Sequence, residues 1–132
     1  METDKIFGFV KPLVDVHTMG LHTMANLVRE CGYQAIIASP EINSALEQIQ
    51  KINNYSLVKA WIINNHITHL CFSYRLDPMD ACNHFMQLYE RLLGDNMASA
   101  TGGIIQAFSF AGLPEACQLI AERTKNQVIL FP

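Results

Sequence analysis

Apolar residues along the chain fall into two alternating rhythms: short continuous runs, and longer stretches in which apolar positions recur at three- and four-residue spacing. The first rhythm marks buried strands and the second amphipathic helices. Residues 6–14 read as the first strand, with Ile6-Phe7-Gly8-Phe9-Val10 as its apolar part. Its carboxyl end should be irregular, because Pro12 donates no ladder hydrogen bond. Helical spacing starts soon afterwards, at Met24, Leu27, Val28 and Cys31, and predicts a helix over 18–31 stopped by Gly32. A short strand over 34–38 follows. Ser39-Pro40-Glu41 has the form of a helix start, a hydroxyl cap with proline in the first position. It leads into an apolar face of Ile42, Ala45, Leu46, Ile49 and Ile52. Asn53-Asn54-Tyr55 breaks that face, and Ser56 opens a second short helix over 57–63 carrying Trp61, the only tryptophan.

The third strand covers 67–72, and Ser73-Tyr74-Arg75-Leu76 leads out of it. Asp77-Pro78 repeats the cap-and-proline start, and the helix it opens runs to about residue 93 on a face of Ala81, Cys82, Phe85, Leu88, Tyr89 and Leu92. Gly94 ends it. The small and polar stretch 95–103 is expected to be a flexible loop. A fourth strand over 104–110, a loop at Ala111-Gly112-Leu113, a helix from Pro114 to about Thr124 and a fifth strand over 127–131 complete the chain. Strands alternating with helices imply a parallel sheet. Right-handed crossovers then favour a doubly wound, flavodoxin-like α/β fold with strand order 2-1-3-4-5. The sequence stops after the fifth strand, where such a fold would add a final helix. One apolar sheet face is therefore expected to be partly bare, covered by another copy or another chain, or by more of a longer protein.

A length of 132 residues fits one domain, and a hydrophobic fraction of 50% is globular composition. The formal charge of −3 comes from nine scattered basic and twelve acidic side chains, leaving no basic patch for a nucleic-acid backbone. No secretory leader or apolar run of membrane-spanning length is present, so the expected location is cytoplasmic, with no membrane partner. Cys31, Cys71, Cys82 and Cys117 are far apart and sit in apolar patterns. They read as small buried hydrophobes, not as disulfides or a zinc cage.

The candidate chemistry lies where the first strand gives way to the first helix, in Asp15-Val16-His17-Thr18-Met19-Gly20. Loops at the carboxyl ends of parallel strands are where open α/β sheets bind ligands. A carboxylate two residues before an imidazole can accept its second ring N–H, fix its tautomer and aim the other nitrogen at a metal. Gly20 leaves a side-chain-free gap for close approach. His22, five residues after His17, is off the helical spacing needed for a shared zinc site. His66, His69 and His84 read as surface or core-edge residues.

The spacing Asp-x-His-x-x-Gly after a first strand resembles the motif of cobalamin-binding domains in cobalamin-dependent mutases and methionine-synthase-like methyltransferases. The resemblance implies that His17 is the lower axial ligand of cobalt, displacing the cofactor's dimethylbenzimidazole. It implies that Asp15 hydrogen-bonds His17 and that Gly20 makes room for the displaced nucleotide tail, with Thr18 and Met19 in the same loop. The family's Ser-x-Leu pattern after the third strand is matched at Ser73; Tyr74 follows, and Arg75 replaces the leucine, where its donors could meet a phosphate or corrin amides. Of the family's Gly-Gly after the fourth strand, Gly112 agrees and Ala111 departs. The implied protein is a small subunit or segment that serves a catalytic, substrate-binding partner of a mutase or methyltransferase. The chain would hold adenosyl- or methylcobalamin, while the cofactor carries the chemistry. A domain of this fold that has lost the cofactor and acts as an interaction or sensory module is the alternative. A flavodoxin-like electron carrier is disfavoured by a first loop without the hydroxyl-rich phosphate-binding pattern. Absence of G-x-G-x-x-G, G-x-x-x-x-G-K and a nucleophile elbow argues against a dinucleotide enzyme, an ATPase and an α/β-hydrolase.

Overall fold

The computed structural model describes residues 4–132. Five parallel strands, β1 (Ile6–Val10), β2 (Gln34–Ile37), β3 (His69–Tyr74), β4 (Ala107–Gly112) and β5 (Ile129–Phe131), form one sheet in the order β2-β1-β3-β4-β5. The helices between them are α1 (Met19–Glu30), α2 (Pro40–Ala45), α3 (Ile52–Asn64), α4 (Pro78–Gly94) and α5 (Pro114–Thr124). This is the doubly wound, flavodoxin-like α/β arrangement read from the sequence. The switch in strand order lies between β1 and β3, so the loops leaving those two strands flank the crevice.

The two sheet faces are covered unequally. Helices α2 to α5 pack on one face over a continuous core in which Phe72, Phe85, Tyr89, Phe108 and Phe110 interlock, with ring centroids 4.9–6.1 Å apart. On the other face a smaller cluster joins Leu21 and Ala25 of α1 to Phe9 and Ala35 of the sheet. Strand alternation divides β3 accordingly: Leu70, Phe72 and Tyr74 are buried in the larger core, while His69 and Cys71, turned to the other face, are only half-buried. Beside α1, Ile129 and Phe131 of β5 remain exposed, as does Leu27 of α1 itself.

Both cap-and-proline starts form as read: Ser39 accepts from the Ile42 N–H at 3.5 Å and Asp77 from the Asp80 N–H at 3.0 Å. Several local expectations are corrected. Asn53-Asn54-Tyr55 is the first turn of α3, not a break. Asn54 Nδ2 donates to the Gln48 carbonyl at 3.0 Å, and burial of Tyr55, Val58 and Ile62 outweighs the turn preference of asparagine. The stretch 95–103 is not a loose loop. Met97 is buried, residues 99–101 make a 3₁₀ turn, and Ser99 and Ile105 join the two sides through N–H···O bonds of 2.8 and 2.9 Å. Strands β3 and β4 run two residues further toward the crevice than expected, so Ser73 pairs with Ala111 and Tyr74 with Gly112 inside the sheet. Of the cysteines, Cys82 and Cys117 are buried and Cys71 half-buried, but Cys31 is exposed at the end of α1.

No helix of the described residues is long and apolar enough to cross a membrane.

Candidate functional site

The loop between β1 and α1 is irregular but firmly held. The strand stops at Val10, before Pro12, and residues 12–15 close a turn through an Asp15 N–H to Pro12 carbonyl bond of 3.0 Å. The next crossover anchors it: Asn43 Oδ1 accepts from the Lys11 N–H at 3.1 Å, the Asn43 carbonyl from the Leu13 N–H at 3.3 Å, and Glu47 from the Val14 N–H at 2.6 Å. The Lys11 side chain is folded inward, 5% exposed, and its ammonium donates to the carbonyls of Pro12 and Asp15. Sequence patterning missed this lysine, because a single cation among scattered charges carries no signal that it will be buried.

These contacts fix Asp15, which is fully buried while its neighbours Val16, His17 and Thr18 are exposed. Its Oδ1 accepts from the His17 backbone N–H at 3.0 Å and faces the His17 Nδ1 at 2.6 Å. Its Oδ2 accepts from the Arg75 backbone N–H at 2.6 Å, sixty positions away across the switch point. Burial alone pulls the carboxyl pKa up. The N–H groups of Arg75 and His17 together with the imidazole outweigh burial and hold it below the ordinary carboxylate value. Asp15 is therefore an ionised hub joining the loops after β1 and β3. With Nδ1 committed to Asp15, the outward nitrogen of His17 is Nε2, on a side chain 53% exposed. The surrounding surface is apolar: Val16 and Met19 are 79% and 83% exposed, with Leu13 and Val14 beside them.

Gly20 sits in the first turn of α1, and a Cβ built there would meet nothing within 4 Å. It opens onto a cavity of about 180 Å³ between α1 and the sheet, whose lining includes Ser73 and Arg75. The floor is made of small side chains on the face of β3 and β4 turned from the main core: Cys71, Ser73, Ala107, Ser109 and Ala111. Leu21 and Met24 of α1, Phe7 of β1 and Phe131 of β5 make the walls. This groove was not anticipated from the sequence; the signal that would have found it is the alternation of small residues in two adjacent strands.

The remaining candidates separate from this group. Thr18 forms no side-chain cap and contributes its carbonyl to the His22 N–H at 3.0 Å. Tyr74 turns to the opposite face, 3% exposed, with its ring 5.4 Å from that of His84. Gly112 does not line the cavity; a Cβ there would lie 2.5 Å from the Tyr74 carbonyl oxygen and 2.6 Å from a Phe110 ring carbon, so its glycine answers to strand packing. Among the described residues no group of three or more His, Cys, Asp or Glu side chains could hold a metal ion as a protein cage. A metal brought inside a cofactor would ask this loop for one ligand, which His17 can supply.

No protein-family model matches the chain and no curated protein matches it, which leaves the buried carboxylate, the imidazole it aims and the groove beside them as the ground for a functional reading.

Proposed function

We propose that this chain is a cobalamin-binding module that holds the corrinoid base-off, with His17 as lower axial ligand of cobalt, for a catalytic mutase or methyltransferase partner. The observation that carries the reading is Asp15: a fully buried carboxylate bonded to His17 Nδ1 at 2.6 Å, with the imidazole half-exposed above it. A buried, ionised acceptor of this kind holds the proton on Nδ1 and leaves the Nε2 lone pair free, as an axial nitrogen ligand requires. The residues fit the group in three further respects. The exposed Leu13, Val14, Val16 and Met19 offer an apolar bed for a large macrocycle. Gly20 gives open space beside the imidazole. The groove beneath has room for a ring-sized appendage, although at about 180 Å³ it could not hold the whole cofactor. When bound, the corrinoid would supply the radical or methyl-transfer chemistry. The chain's own work is to orient His17 through Asp15, hold its proton on Nδ1 and admit the tail past Gly20.

The test is electron paramagnetic resonance of the Co(II) corrinoid bound to protein labelled with ¹⁵N-histidine. Axial ligation by His17 converts the nitrogen superhyperfine triplets to doublets, and His17→Ala abolishes the effect. Triplets unchanged by labelling, or corrinoid lost on gel filtration, overturn the reading. A second reading, a fold of this type acting as an interaction module, is favoured by the exposed Ile129 and Phe131 beside α1, a surface suited to another copy or partner. Loss of corrinoid would leave that reading standing.

A further inference from the structure

The groove under Gly20 is apolar at its walls and polar along part of its floor. His69, Cys71 and Ser73 follow one another on one face of β3, and Ser109 pairs with Cys71 from β4. Each two-residue step advances about 6.6 Å, so the floor from His69 to Ser73 is about 13 Å long. Arg75 lines the mouth and His69 the far end. The His69 ring lies 4.5 Å from that of Phe7, with Nδ1 held at 2.9 Å by the Thr68 hydroxyl. Its second nitrogen is thus the one open to a ligand. Burial, with Lys5 contributing, lowers the His69 pKa and favours the neutral ring. The Ser109 hydroxyl lies beside Cys71 on the floor, where it can both donate and accept. An apolar cavity of about 150 Å³ takes benzene; this one, at about 180 Å³ and partly open, takes a larger flat ring with its substituent toward Arg75. A ring edged only with methyl groups would leave the imidazole and hydroxyl of the floor without partners, which costs affinity.

We infer that the groove recognises a polar-edged heteroaromatic base of the purine class, read by His69 and Ser109, with its phosphate at Arg75. This deepens the corrinoid reading and rests on it: the base would be the displaced lower base, and the chain would prefer a purine-based cobamide to the dimethylbenzimidazole form. A free nucleotide has the same chemistry and is separated by experiment.

The test titrates adeninyl cobamide, cobalamin, cobinamide (which has no nucleotide) and AMP against wild type, His69→Phe and Ser109→Ala, following visible absorbance for the corrinoids and calorimetry for AMP. The adeninyl form should bind about five- to tenfold more tightly than cobalamin, the value of one or two buried hydrogen bonds. That ratio should fall toward one in both variants. Equal or reversed affinities in wild type, or a ratio unchanged in both variants, overturn the inference. Cobinamide separates the two levels. If it binds wild type and loses its axial-ligand spectrum in His17→Ala while no base preference exists, only the groove assignment fails; if no corrinoid binds, both fail. AMP binding as tightly as the adeninyl cobamide makes the groove a free-nucleotide site and overturns the tail assignment. A dimer broken by Phe131→Glu, with corrinoid affinity unaffected, makes the groove an interface and overturns it as well.

Discussion

Replacing Asp15 by asparagine keeps the shape of the hub and removes its ability to accept on both sides. In the wild type Oδ1 meets two donors of His17 and Oδ2 meets the Arg75 N–H. An asparagine must turn its NH₂ toward one of these groups. The less costly choice keeps oxygen toward His17 and sets the NH₂ against the Arg75 N–H, losing one charge-assisted bond and stranding a part-buried donor. Such bonds contribute about 1.5–3 kcal/mol and an orphaned donor costs about 1–3 kcal/mol, so a net loss of about 3 kcal/mol is expected. For a chain of 132 residues that lowers Tm by roughly 10 °C. Urea unfolding followed by the fluorescence of Trp61, the only tryptophan, measures the loss directly. The pH dependence has a definite sign. The folded carboxyl pKa lies below its unfolded value of about 3.9, so the stabilisation is fully present above that value and disappears as pH falls through the folded pKa. The gap between wild type and Asp15→Asn must therefore narrow on acidification. A gap below about 1 kcal/mol at neutral pH, or one that widens in acid, would refute the hub.

Two glycines should respond in opposite ways. Gly112→Ala puts a Cβ against the Tyr74 carbonyl and the Phe110 ring, and should cost about 2–3 kcal/mol in urea unfolding; a neutral result would show that β3 and β4 part without penalty. Gly20→Ala meets open space in the first turn of α1, so stability should stay level or rise by up to about 1 kcal/mol. Its corrinoid affinity should nonetheless fall at least about tenfold, equivalent to about 1.4 kcal/mol, and unaltered affinity would remove Gly20 from the proposed tail path.

Topology was legible because the strand and helix rhythms are clean and the proline starts at Pro40 and Pro78 mark helices unambiguously. Asp15 and His17 were legible because two residues of spacing on a loop bring a carboxylate to its own neighbour's ring. Arg75 was singled out for its guanidinium, whereas its peptide N–H reaches Asp15, a contact that no side-chain pattern encodes. Gly112 read as a loop residue because Ala111-Gly112 has no strand-like bulk; its place in β4 is set by pairing with Tyr74. His69 read as a core-edge residue and is half-buried, but its neighbours in the sheet, Phe7 on β1 and Ala107 on β4, lie far from it in sequence, and only the folded sheet brings them together.

The Arg75 link to Asp15 has a consequence for how this surface can change. Because the donor is main chain, every residue except proline at position 75 can supply it. The side chain there is free to be exchanged while the aim of the imidazole stays intact. The side chain at the mouth of the groove and the aim of the outward imidazole nitrogen are thereby separable: the lining can change at position 75 without the carboxylate, the loop or the strand ends having to follow.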